Sequence, residues 1–118
     1  MKRITLLNIN KFSPLEVFEF VAAHLLKQNK RAIDKQTNTC QYRTKSGKKC
    51  AFGCLIPKKL YKPDMENRSC PNLIENFFPN AKAYQKLLIK LQLIHDTVPP
   101  AQWQKKLEAF RQNKKNKL

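Results

Sequence analysis

Apolar residues recur at three- and four-residue spacing over Leu15, Phe18, Val21, Ala22, Leu25 and Leu26, the period of a helix with one buried face. Ser13-Pro14-Leu15-Glu16 sets an N-cap serine, a proline at the first helical position and a glutamate three residues after the cap, so the helix starts there. Asn29 and the basic pair Lys30-Arg31 end it. The pattern then changes. Cys40-Gln41-Tyr42-Arg43 and Lys49-Cys50-Ala51-Phe52 flank Thr44-Lys45-Ser46-Gly47-Lys48, which predicts a β-hairpin with Gly47 at positive φ. Two strands alone are marginal, so the hairpin must lie on a helix. Pro57 opens a short helix through Tyr61, and Pro63-Asp64 turns the chain. Ser69-Cys70-Pro71-Asn72 starts a second short helix carrying Leu73, Ile74, Phe77 and Phe78. A long helix is expected from an Asn80 cap to about Thr97, with Tyr84, Leu87, Leu88, Leu91, Ile94 and His95 on one stripe. Pro99-Pro100 ends it, and a last helix turns Trp103, Leu107 and Phe110 inward.

These elements predict a mainly α (α+β) fold, a helical domain of about four to five helices with one small β-hairpin. Residues 1–112 form one compact domain and residues 113–118 a frayed basic tail. The expected core contains Phe18, Val21, Leu25, Leu55, Phe77, Leu87, Leu88, Leu91, Ile94, Trp103 and Leu107. A chain of 118 residues with 42% hydrophobic composition supplies one such core and not two. Leu6, Leu7, Ile9 and Phe12 are left over, to cover the hairpin or to pair two copies, so monomer and homodimer both stay open. The N-terminal apolar stretch is broken at Asn8 and Asn10, and the longest apolar runs fall far short of the roughly 20 residues of a membrane span. A cytoplasmic protein with no membrane partner is expected.

Composition narrows the chemistry. Only Gly47 and Gly53 are glycines, which excludes the glycine-rich loops that cradle nucleotide phosphates. Cys40, Cys50, Cys54 and Cys70 have the spacing C-x9-C-x3-C-x15-C, which matches no zinc pattern built from C-x2-C pairs, so free thiols and no metal or cofactor are expected. Cys50 with His95 and Asp96, or Cys54 with His24, has the residue types of a cysteine enzyme. Each histidine lies on or beside an apolar helical stripe, however, where hydrogen bonding to backbone is the commoner use. A catalytic set is therefore not expected. Asp64 and Glu66 read as solvated turn charges, and Glu16 as part of the cap.

The segment Cys40-x-Tyr42-Arg43, Gly47, Lys49-Cys50-Ala51-x-Gly53-Cys54-Leu55-Ile56-Pro57, then Tyr61, resembles a group of small proteins common in tailed-phage and some bacterial genomes. His24-Leu25, Leu91-Gln92-x-Ile94-His95-Asp96, Trp103 and Leu107 fit the same resemblance, which covers most of the chain. It implies an architecture and no reaction. Members of that group carry acidic residues after Leu-Ile-Pro, where this chain has Lys58 and Lys59, so the charge is particular to this sequence.

That charge is +16, from 24 Lys plus Arg against 8 Asp plus Glu. Lysine outnumbers arginine 19 to 5 and asparagine reaches ten, a bias that an AT-rich genome also produces. The leading expectation is a non-catalytic regulator or inhibitor that docks on the acidic surface of a partner protein. Its contact residues would be Tyr42, Arg43, Lys45, Lys48, Lys49, Lys58, Lys59, Tyr61 and Lys62, with Tyr42, Phe52 and Tyr61 as aromatic anchors inside a rim of steering charge. The alternative is nucleic-acid binding through Lys105, Lys106, Arg111, Lys114 and Lys115. A small cysteine-dependent enzyme is a distant third.

Overall fold

A computed structural model of the chain describes residues 3–34 and 36–115. Helix α1, Pro14–Gln28, opens as the sequence predicts: the Ser13 side chain accepts from the Glu16 N–H while Glu16 accepts from the Ser13 N–H. It closes at Asn29, whose left-handed φ of 53° supplies the C-cap. Helices α2, Cys70–Asn76, α3, Gln85–Thr97, and α4, Trp103–Lys115, follow. Short 3-10 turns join them. Ser69 caps α2 by accepting from the Asn72 N–H at 3.2 Å. The fold is mainly α with a small antiparallel sheet, as the periodicity indicates.

The sheet, however, is not the expected pair of strands. Its two strands are β1, Ile33–Asp34, and β2, Thr39–Cys40, in register Ile33↔Cys40 and Asp34↔Thr39. The segment read as a hairpin, 40–52, keeps one antiparallel bridge, Arg43↔Lys49, with Thr44 N–H donating to Lys48 O and Cys50 N–H to Tyr42 O. Gly47 sits at its tip with φ 92°. Cys50 therefore faces Tyr42, and Cys40 pairs with Ile33.

The long helix is also shorter than expected. Pro79–Tyr84 is a 3-10 stretch, and Asn80 is not a cap: its amide donates to Leu6 O at 2.5 Å and Leu7 O at 3.0 Å, pinning the N-terminal segment. One hydrophobic cluster runs from Ile4 to Leu107. It holds ten of the eleven predicted core residues, and the exception is Phe77, which is 39% exposed. Phe77 closes the C-terminus of α2 and lies under the Arg68 guanidinium, while the neighbouring Phe78 takes the interior position. Leu6 and Ile9 are buried against the chain's own core, Phe12 is half-buried, and Leu7 is exposed. Helix α4 runs three residues into the stretch read as a tail, while residues 116–118 lie outside the described residues. No helix among the described residues is long and apolar enough to cross a membrane.

Candidate functional site

The nine residues expected to touch a partner divide into two groups. Tyr42, Arg43 and Tyr61 are drawn into the fold by one carboxylate. Glu66 accepts from the Tyr42 N–H at 2.9 Å, the Arg43 N–H at 3.1 Å and the Tyr61 hydroxyl at 2.5 Å, tying the bridged segment to the 3-10 turn Pro63–Asn67. The Tyr42 hydroxyl donates to Arg68 O at 2.5 Å, and its ring packs on Phe52, which is fully buried. Burial, first of all, pushes both tyrosine hydroxyls up from their ordinary range, and the Glu66 bond adds to this at Tyr61. The expected aromatic anchors thus belong to the body of the protein. Their hydroxyls and rings are committed before any partner arrives.

The cations form the other group. Lys45, Lys58, Lys59 and Lys62 are exposed, while Lys48 and Lys49 are half-buried. The Arg43 guanidinium lies 5.6 Å from the centre of the Tyr61 ring, with its buried Nε and Nη2 left without a hydrogen-bond partner. Lys49 is held by its backbone: Gln28 accepts from its N–H at 2.9 Å and donates to its carbonyl at 2.9 Å. Its ammonium is pushed down, by burial first and then by the charges of Arg43, Arg3 and Lys58. Four cations from three parts of the chain therefore crowd one region.

The alternative nucleic-acid residues scatter. Lys105 and Lys106 are exposed along an open groove with Gln102 and Ala109. Arg111 is a correction to the sequence reading: it bonds Glu19 at 2.6 Å and Glu108, lies over the Phe18 ring, and clamps α4 to α1. The side chains of Lys114 and Lys115 lie outside the described ones.

Neither cysteine–histidine pairing named from sequence forms among the described residues. Cys50 is fully buried, its Sγ accepts from the Gly53 N–H at 3.2 Å, and burial raises its thiol well above the ordinary value. Cys54 donates to Ala51 O, and burial pushes it up to about 12. The His24 Nε2–H donates to Lys49 O at 2.9 Å, and burial lowers its ring pKa. The thiol that does reach His95 and Asp96 is Cys40, with one ligand atom from each of the three within 4.8 Å of the others. No spacing signal announces this, because β2 is brought to the end of α3 by contacts remote in sequence: Ala32 N–H donates to His95 Nε2 at 3.0 Å, and Gln41 N–H to Ala32 O. Glu66 was missed for a plainer reason, since a carboxylate in a proline-bordered turn looks solvated until its backbone donors are known.

Searches of family models, curated proteins and solved structures return no match to this chain.

Proposed function

We propose that this protein is a non-catalytic, protein-binding regulator or inhibitor that docks on an acidic partner surface through Arg43, Lys45, Lys48, Lys49, Lys58, Lys59 and Lys62. The observation that carries the reading is the crowding at Lys49. Burial first, and then the charges of Arg43, Arg3 and Lys58, depress its pKa, and an anionic partner would relieve the part that comes from repulsion. With Tyr42, Phe52 and Tyr61 committed to the body of the protein, steering charge carries most of the recognition, and association is fast and salt-sensitive. The thiols favour the non-catalytic side of the reading, since each is held above its ordinary pKa and away from the reactive thiolate.

Fluorescence anisotropy tests it, with a labelled glutamate-rich polypeptide compared with duplex and single-stranded nucleic acid at 50 and 200 mM salt. The polypeptide should bind at 50 mM salt, and the triple change K45E/K48E/K49E should slow its association by about tenfold or more. Nucleic-acid affinity should fall by about a thousandfold over the same salt range if six or more phosphates are contacted. Micromolar nucleic-acid binding that persists at 200 mM salt, or polypeptide kinetics indifferent to the triple change, would overturn the proposal.

A further inference from the structure

Cys40 at the end of β2, Cys70 at the start of α2 and Asp96 in the last turn of α3 open on one cavity of about 250 Å³, walled also by Gln41, Tyr42 and Gln92. A chain with only eight acidic residues thus places one of them on the same cavity as two thiols. The two oxygens of Asp96 are used differently. Oδ1 accepts from Gln92 Nε2 at 3.0 Å and from His95 Nδ1 at 2.8 Å, and Oδ2 takes neither bond.

The tautomer of His95 follows from its surroundings. Ala32 donates its N–H to Nε2, so Nε2 carries the lone pair and the ring proton sits on Nδ1, facing Asp96. A metal on Nδ1 would force the proton to Nε2, against the Ala32 N–H. The ring is therefore built to hold the carboxylate, as a carboxylate ligand is commonly held by donors behind it.

We propose that Cys40, Cys70 and the Oδ2 of Asp96 bind a thiophilic divalent cation of the zinc class, with His95 and Gln92 orienting the carboxylate. Two S–H bonds break and two metal–sulfur bonds form, with both protons released to solvent. The site carries one negative charge before binding. It carries one afterwards, since two thiolates and a carboxylate offset the cation, so a chain already at +16 gains no charge. Metal–sulfur distances of about 2.3 Å and metal–oxygen distances of about 2.1 Å draw the Cys40–Asp96 pair inward by up to about an ångström. Cys70 lies outside the group of ligand atoms that Cys40, His95 and Asp96 form, so binding requires its side chain to rotate inward and give up a 3.8 Å contact with the Tyr42 hydroxyl that is too long for a strong bond. Water from the cavity fills the fourth tetrahedral position.

Burial first, and the Asp96 charge as well, push both thiols up, that of Cys70 to about 11. Both protons must therefore be displaced at neutral pH, and affinity climbs with pH by up to about a hundredfold per unit. Cys50 also feels Asp96 and Cys70, but it is sealed in the core with its Sγ on the Gly53 N–H.

The test uses the full chain, reduced and stripped of metal, titrated with Co²⁺ and then Zn²⁺. One Co²⁺ per chain should bind with thiolate-to-cobalt charge-transfer absorption, one Zn²⁺ should displace it, and two protons should be released. Cys40→Ser and Cys70→Ser should each weaken binding by about a hundredfold, with Cys54→Ser unchanged. His95→Gln should weaken it by about ten- to a hundredfold while keeping the charge-transfer band, the signature of a positioning residue. Where a variant does not fold, the native chain still decides: Zn²⁺ should slow alkylation of Cys40 by about tenfold or more. Absence of the charge-transfer band at equimolar Co²⁺, a band that survives both serine changes, or Cys40 alkylation indifferent to Zn²⁺ would each overturn the site.

Discussion

The root and the tip of the 40–54 segment lie a few residues apart and obey different rules. At the root, Tyr42, Cys50, Phe52 and Gly53 are bonded or buried, and a Cβ on Gly53 would stand 1.8 Å from the Tyr42 carbonyl oxygen. At the tip, Lys45, Ser46 and Gly47 are exposed, and a Cβ on Gly47 would meet nothing within 4 Å. One glycine is required by contact and the other by backbone conformation alone. The run Cys50-Ala51-Phe52-Gly53-Cys54-Leu55-Ile56-Pro57 continues the root. Its residues are spent on packing: Cys50, Ala51, Phe52, Gly53, Leu55 and Ile56 are buried, the Phe52 N–H donates to Gln92 of α3, and Leu55 O accepts from the Leu6 N–H.

Substitutions should separate the two regions in a graded way. Gly53→Ala has the largest effect, because the obstacle is backbone and cannot rotate aside. A loss of about 3 kcal/mol or more is expected, read as a collapsed thermal transition or as insoluble protein. Glu66→Ala strands two backbone donors and the Tyr61 hydroxyl, and should cost about 2 kcal/mol in urea unfolding. Gly47→Ala meets no neighbour and pays only for positive φ, about 1–2 kcal/mol by the same measurement. Equal costs at Gly53 and Gly47 would erase the distinction between root and tip.

Sequence legibility follows the same division between local and remote causes. Helix α1 was readable to the residue because its start, Ser13-Pro14-Leu15-Glu16, and its stop, Asn29, are chemical signals within one turn of the helix. Gly47 at positive φ was readable for the same reason. The strand pair β1–β2 was not, since two residues a side carry no periodicity. The 3-10 character of Pro79–Tyr84 was hidden because Asn80 is a good helix cap in isolation, and only the N-terminal segment, more than seventy residues earlier in the chain, gives its amide a different use. Phe77 and Phe78 are equivalent to any pattern, and which one turns inward is settled by where α2 ends. The candidate site divides likewise. The lysines were visible as a cluster of charge, but the meeting of Cys40 with Asp96 spans 56 positions and depends on how β2 is tethered to α3.

The side chains of α1 at the bridged segment have a consequence for how copies of this protein meet. A short strand ordinarily leaves a backbone edge with open donors and acceptors, and such an edge recruits a strand from another chain. Here Gln28 takes both the N–H and the carbonyl of Lys49, and His24 adds a second donor to that carbonyl. A helix thereby occupies the place of the next strand with two side chains. At that position the ladder has nowhere to grow, and fibril-like extension from one molecule to the next is blocked at its first hydrogen bond.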